Sequence, residues 1–240
     1  MRIEAKPYKM INHVQHYDWG TRGKNAFIPY LLGYDGLDKP YAELWIGGHP
    51  KLSSEVLVGT ETIKLNDFIS KYPNEILGEY VAQKFNNKIP FLLKVLSANQ
   101  ALSIQTHPNK EQAIKLNNID PQNYPDDNHK PEIAIALDFL IALVGFRKLS
   151  AIEENLVKYP NLADFIGAEV VEKYKTNKTA KGLQVLFTKL MENSCNYDLL
   201  ESIINSILNS FNSQKELTED EELFITLHGQ YGVDVGLLVM

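Results

Sequence analysis

The stretch "PFLLKVLSANQALSIQTHPNK" (residues 90–110) decides the fold, because two apolar runs and an abrupt polar end follow one another within it. "IPFLLKVLSA" and "ALSIQTHP" have the length and residue types of β-strands. Side chains two apart in a strand share a face. Ser103, Gln105 and His107 therefore point to one side, with Leu102, Ile104 and Thr106 on the other. An imidazole nitrogen is a common metal donor and an amide oxygen a weaker one. On that spacing alone, a histidine satisfied at a strand end is the commoner arrangement. Lys94 breaks the first run, so its ammonium must be solvated, ion-paired or bound to a ligand. Snorkelling from an edge strand fits it as well as facing a cavity does. "NKEQAIKLNN" then reads as a short helix, with Asn109 as cap and Gln112 three residues on.

Downstream, "DDNHKPEIAIAL" (residues 126–137) starts an extended run at Pro131, which disfavours helical geometry at Lys130. Lys130, Glu132, Ala134 and Ala136 share one face of it, and Ile133, Ile135 and Leu137 the other. An ammonium and a carboxylate beside small alanines suit a polar cavity wall, although an edge strand with surface charges has the same spacing. Upstream lie "QHYDWG" (residues 15–20) and "YAELWIGGHP" (residues 41–50). Trp19 and Trp45 suit a core, and a Trp beside Asp and Gly in a loop also suits the floor of a sugar pocket. Glu43 is the more suggestive residue, a carboxylate inside an apolar run. His49 before Pro50 lacks a neighbouring glutamine and reads as structural.

Further outward, "ELWIGG", "SSEVLVG" and "EIAIALDFLIALVGF" add strands, and "LNDFISKYPNEILGEYVAQKFNN" interrupts them with helical spacing. After Ser150 apolar residues recur three and four apart in "SAIEENLVKYP", "KGLQVLFTKLMEN", "YDLLESIINSILNSF" and "TEDEELFITLHGQYG". Asp198 and Thr218 are the expected caps there, with Thr218 and Glu221 forming a capping box. Residues 1–150 thus read as a β domain, 151–228 as a helical block, and 229–240 as the start of a returning strand that normally continues.

Over 240 residues, 44% hydrophobic and 22% charged side chains belong to an ordinary globular chain. A net charge of −6 argues against general affinity for nucleic acid or anionic membrane, but not against a small anion held by a local Lys cluster. The single cysteine, Cys195, excludes an intrachain disulfide and fits a reducing compartment. With neither a signal-peptide core nor a run of spanning length, the expectation is a cytoplasmic protein.

Taken together and in this order, "QHYDWG", "YAELWIGGHP", "PFLLKVLSANQALSIQTHPNK" and "DDNHKPEIAIAL" followed by "LVGFR" resemble the type I mannose-6-phosphate isomerase (phosphomannose isomerase) family. The resemblance implies a mainly β fold with an α insertion: a cupin-type (jelly-roll) β-barrel, incomplete here, followed by a helical domain. It implies one zinc ion per chain, held by Gln105, His107 and Glu132. A later histidine is the family's fourth ligand, in a segment this sequence lacks. It also implies that Trp19, Glu43 and Ser103 bind substrate and that Lys94 and Lys130 are catalytic. Lys94 would serve ring opening or charge stabilisation, and Lys130 proton transfer. The implied reaction interconverts mannose 6-phosphate and fructose 6-phosphate through a cis-enediol. The implied partner is a small sugar phosphate, without nucleic acid or membrane, and open sheet edges imply self-association. The alternatives are another metal-dependent cupin enzyme, which the neutral glutamine disfavours, and a remnant that binds a sugar or partner without turnover.

Overall fold

Alternation of apolar and polar residues along short strands builds two small sheets in the first part of the chain. In the computed structural model, which describes residues 3–4, 6–124 and 126–239, the chain divides into two compact units, Met1–Leu102 and Ser103–Met240. The first unit contains β1 (Met10–Ile11), β2 (His13–Gln15), α1 (Phe27–Leu32), β3 (Glu43–Gly47), β4 (Glu55–Val58), β5 (Glu61–Lys64), α2 (Leu65–Lys71), α3 (Pro73–Leu77), α4 (Glu79–Lys84) and β6 (Leu92–Leu96). These strands form two antiparallel three-stranded sheets, ordered β1-β4-β5 and β2-β3-β6.

In the second sheet Val14 pairs with Leu44 and Leu44 with Val95. These side chains and Ile46 pack with Ala26, Ile28 and Tyr41 into one apolar core. The period of two sends Gln15, Glu43, Trp45 and Lys94 to the opposite face. The first sheet packs Val56 and Val58 against Leu65, Phe68 and Ile69 of α2 in a separate core. The loop carrying "QHYDWG" lies against β3 so closely that a Cβ on Gly20 would stand 2.5 Å from the backbone nitrogen of Ala42. Only glycine fits there.

The second unit contains α5 (Lys110–Ile119), α6 (Leu149–Lys158), α7 (Pro160–Ile166), α8 (Ala168–Thr176), α9 (Ala180–Ser194), α10 (Tyr197–Phe211), α11 (Glu219–Tyr231) and α12 (Gly236–Val239). Leu200, Ile203, Ile204, Ile207 and Phe211 fall at helical spacing on one buried face of α10. With Phe165, Leu186, Leu190 and Phe224 they form the core of the helical block. The expected capping boxes of α5 (Asn109 with Gln112) and α11 (Thr218 with Glu221) are both present.

Three expectations need correction. Asp198 does not cap α10: the helix starts earlier, Asn196 accepts from the Leu199 N–H, and Asp198 lies in the first turn. The expected strands at residues 101–108 and 132–146 are irregular chain, because among the described residues no neighbouring strand pairs with them. A strand without a ladder has nothing to hold its backbone polar groups. Its apolar side chains stand in water: Ile133 is 92% exposed, Phe139 87% and Val144 88%. Finally, among the described residues of the expected returning strand, 229–231 end α11 and 236–239 make the helical turn α12, and Met240 lies outside the described residues. Asp234 Oδ1 accepts from the Gly236 N–H at 2.7 Å and starts that turn, and Leu237 is buried in the helical core.

Candidate functional site

The polar face of the β2-β3-β6 sheet gathers the first group of expected site residues. Glu43 and Trp45 are two apart on β3, and Trp45 pairs with Lys94 on β6. The Lys94 ammonium lies 3.3 Å from Glu43 Oε2 and 5.2 Å from the centre of the Trp45 ring. The Trp45 indole N–H donates to the same Glu43 oxygen. Glu43 is only 7% exposed, so this carboxylate sits in a poorly hydrated place with an ammonium and an indole donor as partners. Of the three states the sequence leaves open for Lys94, the structure selects the ion pair. The lysine keeps further N–H donors for an incoming anion or hydroxyl.

Trp19 does not join that cluster through a hydrogen bond. Its ring stacks on Tyr17 at 5.8 Å and 28°. The loop is tied to the end of β6, with the Asn99 N–H donating to Trp19 O at 2.8 Å and the Thr21 N–H to Ser97 O at 3.0 Å. Burial, reinforced by the negative charge of Glu43, pushes the Tyr17 phenol above its ordinary value and keeps it a neutral donor. Sequence reasoning passes over Tyr17. Its spacing of two from Trp19 is the only sign of the aromatic pair.

The second unit carries the remaining residues. The segment with Gln105 and His107 runs directly into the capped start of α5. The chain leaving α5 folds back along the helix: Asn117 Nδ2 donates to Tyr124 O at 2.6 Å, and Asp120 is bound to Asn123. Between the two segments lies a cavity of about 260 Å³, lined by Gln105, His107, Asn123, Asp126, Asn128 and Lys130 among others. His107 Nε2 comes within 3.5 Å of Glu132 Oε2. Ser103 is exposed, and neither it nor Glu132 belongs to the cavity lining.

The His107–Glu132 separation bears on metal binding. Two donors each about 2.1 Å from one tetrahedral ion stand about 3.4 Å apart, longer than a good hydrogen bond. A nitrogen and a carboxylate oxygen at 3.5 Å, with the Gln105 amide lining the adjoining cavity, have the spacing and chemistry of a partial donor set. Among the described residues no three His, Cys, Asp or Glu side chains gather to hold a metal, so an amide has to complete any such site. Among the same residues no helix is long and apolar enough to cross a membrane.

Comparison with known proteins gives consistent matches. The family model for the phosphomannose isomerase type I catalytic domain matches residues 8–149. The mannose-6-phosphate isomerase of Candida glabrata is 39% identical over 248 residues, covering 93% of this chain and 57% of the relative. That of Rattus norvegicus is 39% identical over 241 residues, covering 93% and 56%. A crystal structure of the Salmonella typhimurium mannose 6-phosphate isomerase bound to its substrate fructose 6-phosphate and to zinc superposes with a TM-score of 0.78 at 35% identity, over 96% of this chain and 58% of that one. The chain thus spans a little under three fifths of the length of these relatives.

Proposed function

The chain belongs to the type I phosphomannose isomerase family, and on that premise we propose that it serves the zinc-dependent interconversion of mannose 6-phosphate and fructose 6-phosphate. The observation that carries the reading is the approach of His107 Nε2 to Glu132 Oε2 at 3.5 Å beside a cavity lined by Gln105. Gln105, His107 and Glu132 would hold the ion. Zinc, when bound, supplies Lewis-acid polarisation of the sugar oxygens. One carboxylate among three protein donors leaves the site net positive, which favours oxygen anions there.

The rest is the work of side chains. Lys130, in the cavity wall, moves a proton to or from the sugar as it passes between aldose and ketose through a cis-enediol. In the first unit Lys94, fixed by Glu43 and Trp45, offers an oriented ammonium for ring opening or an oxyanion. The Tyr17–Trp19 pair presents an aromatic surface to sugar C–H groups. Glu43 acts mainly through Lys94, and Ser103 donates to a phosphate or hydroxyl oxygen. The two small antiparallel sheets are compatible with a cupin-type jelly-roll barrel, the fold that the family resemblance implies. A crystal structure with the β2-β3-β6 sheet outside any barrel would overturn that part.

A coupled assay of fructose 6-phosphate formation from mannose 6-phosphate tests the reading. Turnover by this chain that a chelator removes and zinc restores is the expected result. Absent turnover with retained, zinc-dependent binding of the sugar phosphate would replace the enzyme with a sugar-binding protein.

We further propose that the chain self-associates through residues 132–146, whose apolar side chains are exposed and which pair with no strand among the described residues. Sedimentation velocity should show a weight-average mass that rises with protein concentration. A monomer at every concentration would remove this proposal.

A further inference from the structure

Lys110 is the first residue of α5, three residues beyond His107, and no role follows for it from the reading above. Its ammonium reaches across to the returning chain. It lies 2.8 Å from Asp127 O, 3.1 Å from Asp127 Oδ2 and 3.4 Å from Asn128 Oδ1. An ammonium has three protons, and three acceptors face it. One acceptor is a backbone carbonyl, so the bond fixes the path of the main chain as well as two side chains. Asn128 is held from the other side, its N–H donating to Asp126 Oδ1 at 2.9 Å.

The two segments joined in this way are those with the candidate donors. Gln105 and His107 lie just before Lys110, and Lys130 and Glu132 lie just after Asn128. Among the described contacts, the Asn117–Tyr124 bond ties the returning chain only near the far end of α5. Lys110 ties it at the end where His107 meets Glu132. The geometry points to Lys110 as a positioning residue that sets the distance between the His107 and Glu132 donors and so tunes metal affinity. This rests on the metal site proposed above. Lys110 touches neither donor and acts through the main chain between them.

The half-exposed setting of this pair makes its direct Coulomb contribution to stability small, as for surface ion pairs generally. Its effect is therefore expected in metal affinity more than in unfolding. Zinc affinity, measured by competition with a chromophoric chelator, should fall about tenfold in Lys110→Met, the low end of the range for groups supporting metal ligands. The thermal midpoint should stay close to wild type. Lys110→Arg, which can reach the same acceptors, should restore most of the affinity. Lys115→Met removes the 2.7 Å pair with Glu111 on the exposed face of α5 and should change nothing.

In the metal-free chain, amide exchange at residues 126–130 should speed up several-fold in Lys110→Met. Unchanged exchange there overturns the inference whatever zinc does. Zinc binding that survives Lys110→Met but not His107→Ala also overturns it, while leaving the metal site standing. Zinc binding indifferent to both substitutions overturns the metal site and this inference together.

Discussion

His107→Ala should abolish tight zinc binding, with the dissociation constant rising by more than about 100-fold, beyond what loss of a mere supporting group causes. The imidazole is the one nitrogen donor in the set, and His107 is the residue whose Nε2 faces Glu132 at 3.5 Å. Without it, a carboxylate on irregular chain and an amide are left, and neither holds a transition metal strongly alone. Glu132→Gln keeps the shape but removes the only negative charge of the set. It should weaken binding strongly too, yet less than His107→Ala. Calorimetric zinc titration of the two variants and wild type checks the order. Zinc bound equally well by His107→Ala would place the ion elsewhere and withdraw the proposed centre.

A second large effect is expected in the helical block. Glu221 is 3% exposed, and its carboxylate is surrounded by donors alone. Lys158 Nζ at 2.8 Å, Tyr159 OH at 2.6 Å and Gln214 Nε2 at 2.9 Å face Oε1. The Thr218 N–H at 2.8 Å and Thr218 Oγ at 3.0 Å face Oε2. Burial by itself would push this carboxyl up. The hydrogen bonds from Lys158, Thr218, Tyr159 and Gln214 together outweigh it and hold the group well below the usual carboxylate range.

Glu221→Gln is therefore not conservative. Whichever way the amide is turned, its NH₂ meets a cluster of donors, and one cluster loses its acceptor. The expected loss is about 3 kcal/mol at pH 7, the low end for breaking a buried charge pair, because the Lys158 end remains half exposed. The sign of the pH dependence follows from the depressed value. The carboxylate stabilises the fold fully above its unfolded value of 4.5, and that contribution is lost as pH falls below it. Urea unfolding followed by helical circular dichroism should show the variant's deficit at pH 7 shrinking toward pH 3. A deficit that is constant across that range would mean the ionised form contributes nothing.

Local chemistry is legible in the sequence, and pairing between distant segments is not. Both capping boxes can be read because Asn109 with Gln112, and Thr218 with Glu221, are complete within four residues. Residue type misplaces the start of α10 because Asn196 and Asp198 offer equivalent acceptors two residues apart, and only the backbone decides between them. Lys94 stands out as anomalous, but its partner Glu43 lies on another strand, in a register that spacing along one segment cannot supply. Gln105 and His107 line one cavity even though their segment is not a strand. Thr106, which strand alternation would turn to the other side, lines the same cavity, so the alternation of a strand is not seen here. The strand assignments at 101–108 and 132–146 fail because residue type marks a β-prone segment, and a strand exists only where a second segment pairs with it.

The apolar run from Ile133 to Phe146 has a consequence for how stability itself can be quoted. If copies of the chain cover that run for one another, the associated form is favoured by mass action and the unfolded form is not. The melting temperature then rises with protein concentration. A melting temperature of this chain acquires meaning only alongside the concentration at which it was recorded.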